Sequence, residues 1–143
     1  MEKKIRYTLG KNERLKSRKA IDQLFKTGKS FSVFPFRVVY IFSTVDNGQQ
    51  TTEKKLLQAG FSVSSKNFKK AVDRNRIKRL MREAYRLQKN DLSQQLISVN
   101  KNLSVFFLYT GNEIPDHELV FTKKAKALKQ LQKLLNEDLT PNS

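Results

Sequence analysis

The stretch AVDRNRIKRLMREAYRLQ, Ala71–Gln88, leaves a folding chain little choice. Plotted as a helix at about 100° per residue, it splits into two faces. Ile77, Leu80, Met81, Ala84 and Leu87 share one side, which needs an apolar surface to cover it. Asn75, Lys78, Arg79, Arg82 and Arg86 share the other. Surface helices ordinarily mix acids among their cations to relieve repulsion. Here only Glu83 falls near the cationic face, four residues after Arg79. An anionic partner is the simplest compensation. The segment therefore predicts a helix held to a core by one face and presenting the other to a polyanion.

The bias extends to the whole chain. Lys and Arg number 29 against 13 Asp and Glu, a formal net charge of +16, with a pI of about 10.2. Such an excess repels itself in the compact state unless counterions or a polyanion offset it, which favours nucleic-acid binding. A membrane-surface protein is the weaker alternative, because the chain carries strands and several helices rather than one lipid-facing helix. At 143 residues a single domain spanning 1–143 is expected, with 1–13 as a basic arm and 137–143 as a flexible tail. The absence of cysteine excludes disulfides, a thiol nucleophile and thiolate zinc sites. The first residues, MEKKIRYTLG, lack an apolar signal core, and no run of about 18 apolar residues occurs. These features predict a cytoplasmic protein without a membrane partner.

Along the chain, Ser17 suits a helix start. Ala20, Ile21, Leu24 and Phe25 follow at helical spacing, and Gly28 suits the residue after the helix end. FPFRVVYIF at 34–42 predicts a strand with Pro35 at its start or on an edge. Phe36, Val38 and Tyr40 alternate against Arg37, Val39 and Ile41. Asn47-Gly48 predicts a turn. A second strand is expected over 56–64, with Leu57, Ala59, Phe61 and Val63 on one face and Leu56, Gln58, Gly60, Ser62 and Ser64 on the other. That small, polar face is either solvated or the floor of a shallow ligand site. Residues 89–101 read as a polar link with a helical continuation through Leu92 and Leu96. LSVFFLY at 103–109 predicts a buried, central strand. A last helix is expected over 117–136. The order α-β-β-α-β-α around a small sheet makes this an α+β chain, a two-layer α/β sandwich with three main helices.

Catalytic constellations are scarce. His117 is the sole histidine and stands beside Asp116 near a helix start, where a surface or capping role fits best. The acids are scattered, with Glu113, Asp116 and Glu118 the densest group, and none lies in a predicted strand core. Phosphate-cradling and nucleophile-elbow motifs are missing. No catalytic or metal-ligating residue is assigned, and no organic cofactor is expected. Any reaction centre is expected in a partner. Arginine outnumbers lysine on the central helix, and guanidinium groups bind phosphates through paired hydrogen bonds and stack on bases, which suits structured RNA. Phe25, Phe36 and Tyr40 read either as core or as a surface on which single-stranded nucleotides stack.

Residues 60–86, GFSVSSKNFKKAVDRNRIKRLMREAYR, closely resemble the signature of the bacterial ribonuclease P protein subunit family. The likeness centres on Arg74-Asn75-Arg76, the family's R-N-R motif, followed by IKRLMRE. RLKSRKAIDQLFKTGKS at 14–30 is similar to the family's first helix, and the whole resemblance covers residues 11–135. It implies a small basic partner of a large catalytic RNA. The holoenzyme removes the 5′ leader of precursor tRNA by endonucleolytic hydrolysis, leaving a 5′-phosphate, with Mg2+ held mainly by the RNA. It also implies a left-handed βαβ crossover, an exception to the usual hand.

Carried over, Arg74, Asn75, Arg76, Lys78, Arg79, Arg82 and Arg86 would contact the catalytic RNA or the nearby leader, with Lys66, Lys69 and Lys70 in the preceding connector. Ile21, Phe25, Phe36, Tyr40, Ser62 and Ser64 would form the leader cleft. The partners implied are the catalytic RNA and precursor tRNA, with no obligate protein partner. Ile21 stands where the family often has an aromatic, and the connector at 65–70 is slightly longer than usual and lacks a common glycine. The alternative is a general basic RNA-binding or ribosomal-type protein with no part in tRNA processing.

Overall fold

The computed structural model describes residue 15, residues 18–44 and residues 57–139. The expected basic arm, the Asn47-Gly48 turn and residues 140–143 lie outside the described residues. The elements are α1 (Arg18–Thr27), β1 (Lys29–Val33), β2 (Phe36–Thr44), β3 (Leu57–Val63), α2 (Ala71–Gln88), α3 (Asn90–Val99), β4 (Lys101–Tyr109) and α4 (His117–Leu139). The α+β class stands, and α2 has the boundaries its periodicity predicts.

Two elements go beyond the expected order. Residues 29–33 form β1, which turns through Phe34-Pro35 into β2, so Pro35 lies in a hairpin turn rather than inside a strand. Residues 90–99 form α3 as a separate helix that buries Leu92 and Leu96. It ends where Asn100 adopts a left-handed conformation (φ 56°) and its N–H reaches the carbonyls of Ile97 and Leu96. Asparagine tolerates that region better than most residues. At the other end of the molecule α4 continues past 136, so the first residues of the expected tail are helical.

The sheet order is β1-β2-β4-β3. β2 runs antiparallel to β4, from Phe36 opposite Tyr109 to Thr44 opposite Lys101. β3 runs parallel to β4, from Leu57 beside Leu103 to Val63 beside Tyr109, and α2 and α3 make the crossover. β4 is central, as its apolar run predicts. One sheet face carries Phe36, Val38, Tyr40, Ala59, Val105 and Phe107, and it packs against α2, α3 and α4. The opposite face carries Val39 and Phe106 under Leu24 of α1 and Leu15. Leu15 also donates its N–H to Ala59 O at 2.8 Å, closing part of the free edge of β3. Gly28 follows α1 without a positive φ. What it provides is close approach, since a Cβ there would lie 2.9 Å from the Tyr40 carbonyl of β2.

The buried face of α2 consists of Ile77, Met81, Ala84 and Tyr85. Tyr85 was absent from the expected set, whereas Leu87 is 38% exposed. The helix therefore rolls so that Tyr85, which packs on Phe61 and Phe107, sits at the centre of the contact. Asp116 caps α4 by accepting the Leu119 N–H at 2.8 Å. His117 stacks on Phe121 at the surface of that first turn.

One core residue runs against the apolar pattern. Lys124 is fully buried on α4, with its Nζ 3.5 Å from the Phe107 ring centroid and 4.6 Å and 5.1 Å from those of Phe36 and Phe61. No hydrogen-bond partner meets it among the described residues. The aromatic faces offset some of the cost of a buried charge. Desolvation still pushes the amine's pKa well below its usual 10.5. Unfolded, Lys124 takes up its proton as the pH falls through about 10.5; folded, it resists to lower pH. Between those two values stability drops as pH falls, by up to about 1.4 kcal/mol per unit, and then levels off.

Lys124→Met should abolish this component of the pH profile and raise stability at neutral pH by about 1–3 kcal/mol. Urea titrations of both proteins between pH 7 and 10.5 measure the effect; identical profiles would show that the amine carries no such cost.

Candidate nucleic-acid interface

The cationic side of α2 points away from the sheet because Ile77, Met81, Ala84 and Tyr85 fix its roll. Asn75, Arg76, Arg79 and Arg82 are exposed, and Lys78 is half-buried. Two arginines of the expected set are partly engaged within the protein. Arg74 donates through Nη1 to the carbonyls of Phe68 (2.7 Å) and Lys69 (2.9 Å), so it ties the connector to the helix. Arg86 pairs with Glu83 at 2.6 Å. Glu83 thus meets Arg86 rather than Arg79, and Arg79 stays available to a partner.

The connector itself is anchored. Phe68 is buried against the Tyr109 ring, and its N–H donates to Ser64 O. Asn67 reaches across to donate to Gly111 O at 3.2 Å. Tyr109 donates its hydroxyl to Glu113 O at 2.6 Å, and burial, then the Glu113 charge, raise its pKa, so it stays protonated at neutral pH. Phe68 is thus the aromatic anchor of the connector. Lys66, Lys69 and Lys70 are exposed around it, next to the start of α2. Connector and helix make one continuous cationic edge.

A separate site lies on the opposite sheet face. α1 crosses β2 and β4 there, with Ile21 half-buried and Phe25 46% exposed. The Phe25 ring meets Phe106 edge-on, with centroids 5.3 Å apart. Gly60 makes room for Phe106, since a Cβ on Gly60 would lie 2.6 Å from that ring. Beside α1 the register sets Arg37, Leu108 and Ser62 in a row across the sheet. Arg37 is exposed, and Leu108 and Ser62 are half-buried. The described residues thus set a half-exposed strip of sheet beside α1, a candidate groove with an aromatic wall, an apolar floor and a cation at its rim. Arg18, Lys19, Lys26 and Lys29 are exposed on and beside α1.

Two residues assigned to this cleft lie on the other sheet face, and a third, Ser64, bonds into the connector. Phe36 and Tyr40 lie on the other side of the sheet, 1% and 7% exposed. Phe36 sits under Lys124, and Tyr40 packs on Phe31 and Phe42. Pairing with β4 fixes this: in-register neighbours share a face, so Phe36 and Tyr40 point with Tyr109 and Val105 into the helix-covered core. Ser64 accepts the Lys66 N–H at 3.2 Å and belongs to the connector. In their place come Arg37, Phe106 and Leu108. A lone cation in the otherwise apolar strand FRVVYIF was a legible signal for Arg37. Phe106 carried none, because a strand buried on both faces shows no alternation.

Arg79→Ala with Arg82→Ala should leave thermal stability unchanged and lower the log–log salt slope of RNA binding by roughly 1.4–1.8, as expected for two lost phosphate contacts. Arg74→Ala should instead cost about 1–2 kcal/mol of stability, through loss of its connector bonds. Salt-titrated binding and urea denaturation separate the two roles, and equal behaviour of the two variants would refute the division.

Comparison with known proteins identifies a family and a shared fold. Residues 9–139 match the family model described as Ribonuclease P. The ribonuclease P protein component of Porphyromonas gingivalis is 38% identical over 122 residues, which cover 85% of each chain. That of Chlorobium phaeobacteroides is 32% identical over 120 residues, covering 79% of this chain and 80% of that one. The solved structure of the RNase P protein from Thermotoga maritima superposes with a TM-score of 0.60 at 25% identity, over 82% of this chain and 96% of the other. The Staphylococcus aureus RNase P protein shares the fold, with a TM-score of 0.61 at 22% identity over 83% and 94% of the two chains. With its cationic connector–helix edge and a groove on the opposite sheet face, the chain belongs to the ribonuclease P protein family.

Proposed function

We propose that the chain binds the catalytic RNA of ribonuclease P through the connector and α2, and the 5′ leader of precursor tRNA through the groove beside α1. The observation that carries this reading is the back-to-back placement of the two surfaces. The arginine side of α2 and the Phe25–Phe106 groove lie on opposite faces of one sheet, so one protein can hold two RNA segments at once. A single-stranded leader suits the groove: a half-exposed phenyl ring offers a stacking partner for bases of any sequence, and Arg37 and the α1 cations lie where phosphates would pass.

In this reading the protein positions its partners and the RNA carries the reaction. Water attacks the phosphorus at the leader junction and the leader departs with a 3′-hydroxyl, leaving the 5′-phosphate on the tRNA. Magnesium ions bound to the RNA would supply charge stabilisation. The ions themselves are assigned to RNA ligands as part of this reading. The chain's contribution is affinity: leader contacts favour precursor over mature tRNA, and neutralised phosphates let the RNA close at lower magnesium. No helix among the described residues is long and apolar enough to cross a membrane. A cytoplasmic site of action goes with this role.

Precursor-tRNA cleavage with a bacterial catalytic RNA at near-physiological magnesium should depend on added protein, and the protein alone should cleave nothing. Failure to stimulate would leave a general RNA-binding protein, and cleavage by RNA-free protein would overturn the non-catalytic role. Phe25→Ala should reduce the preference for leader-bearing over leaderless tRNA about 5–150-fold, for a stacking contact of about 1–3 kcal/mol. Its thermal midpoint should barely move, because the ring is half-exposed; competition binding and a melting curve decide between stacking and core packing.

A further inference from the structure

α4 carries a second cationic surface that neither proposed RNA contact uses. Its buried face is Val120, Lys124, Ala127, Leu128, Leu131 and Leu135. Lys126, Lys129 and Lys133 fall on the opposite side of the helix, all exposed. No ion-pair partner meets them among the described residues. α2 and α4 pack side by side on the same sheet face, so the lysine row lies beside the arginine side of α2.

Next to the row is a cleft of about 390 Å³ between the α2–α3 corner and α4. Gln88, Asn90, Gln94 and Gln132 wall it with amides, and Lys129 stands at its side. Two hydrogen-bonded ties fix the walls. Gln88 Nε2 donates to Phe121 O at 3.0 Å, and Gln95 Nε2 donates to Gln132 O at 3.2 Å and to Asn136 Oδ1 at 2.9 Å. The cleft is therefore formed before any ligand arrives. Gln88 Oε1 is buried with no hydrogen-bond partner among the described residues. Carboxamides match the mixed donor and acceptor edges of nucleobases. Asp91 also lines the cleft and disfavours a phosphate inside it, so a base fits within and the phosphates fit on the lysines outside.

We infer that the outer face of α4 is a third RNA-contact surface: an unpaired nucleotide of the catalytic RNA enters the amide-walled cleft, and Lys126, Lys129 and Lys133 neutralise its flanking phosphates. This rests on the proposed role as the RNA's protein subunit. Because α2 and α4 are neighbours, the contact continues the one made by α2 and stays apart from the leader groove across the sheet.

The chain lacks cysteine, so a single introduced thiol takes a cleavage reagent at one place. An iron–EDTA group on Thr122→Cys, exposed one turn before Lys126, should cut the catalytic RNA at a discrete locus in the assembled holoenzyme. The same group on Val72→Cys, exposed at the start of α2, should cut at a different locus. The Lys126→Ala, Lys129→Ala, Lys133→Ala protein should lower the log–log salt slope for the catalytic RNA by roughly 2.1–2.7, with leader preference unchanged. Cuts from Val72→Cys with none from Thr122→Cys, or cuts only in the tRNA, would overturn the α4 assignment alone, as would an unchanged slope. Absence of catalytic-RNA binding by the unaltered protein would overturn the proposed function itself.

Discussion

From Val105 to Leu108 strand β4 is apolar on both faces, and the rest of the architecture answers to that. Val105 and Phe107 point to one side of the sheet, Phe106 and Leu108 to the other. A strand that is apolar on both sides must be covered on both sides. Three helices cover the first face. Among the described residues α1 and Leu15 cover only part of the second, and the remainder is the groove. A sheet with one polar face would have had a single contact surface; covering both faces gives this chain two, facing in opposite directions.

Its cations sort by what surrounds them. Arg74 is partly spent on the connector and Arg86 on Glu83. Lys124 is enclosed by phenyl rings with no counter-ion among the described residues. Arg76, Arg79, Arg82 and the connector lysines stay exposed, at the cost of mutual repulsion that a phosphate backbone would relieve. Charge count alone would treat these groups alike. Arg74 and Arg86 are engaged within the protein, Lys124 is buried at a cost to stability, and the exposed cations are the ones left to meet a partner.

Much of this was legible in the sequence, for local reasons. The helix at Ala71–Gln88 announces itself because its apolar residues recur at helical spacing and its cations do not interrupt them. The R-N-R stretch named the family that the matched relatives share. β1 escaped notice because Lys29–Val33 alternates polar residues with only Phe31 and Val33, too weak a pattern beside an apparent helix end. The cleft was half-read: Ile21, Phe25 and Ser62 are placed on the groove side, while Phe36 and Tyr40 are not. The within-strand alternation was right, but which face of β2 joins which face of β3 depends on β4 between them, and pairing across strands far apart in sequence leaves no local trace. Lys124 stands among Lys123, Lys126, Lys129 and Lys133, so composition does not single it out. Its spacing with Val120, Ala127, Leu128 and Leu131 placed it on the apolar face all along.

The central claim is that the two sheet faces bind different RNA segments independently. A double-mutant cycle between Phe25→Ala and the Arg79→Ala, Arg82→Ala pair tests it most directly, with the affinity of holoenzyme for leader-bearing and leaderless tRNA as the readout. Independent surfaces should give additive penalties, within about 0.3–0.5 kcal/mol. A larger coupling, with the effect of Phe25 on leader preference vanishing once the arginines are gone, would mean that one continuous site binds both, and would contradict the two-faced account.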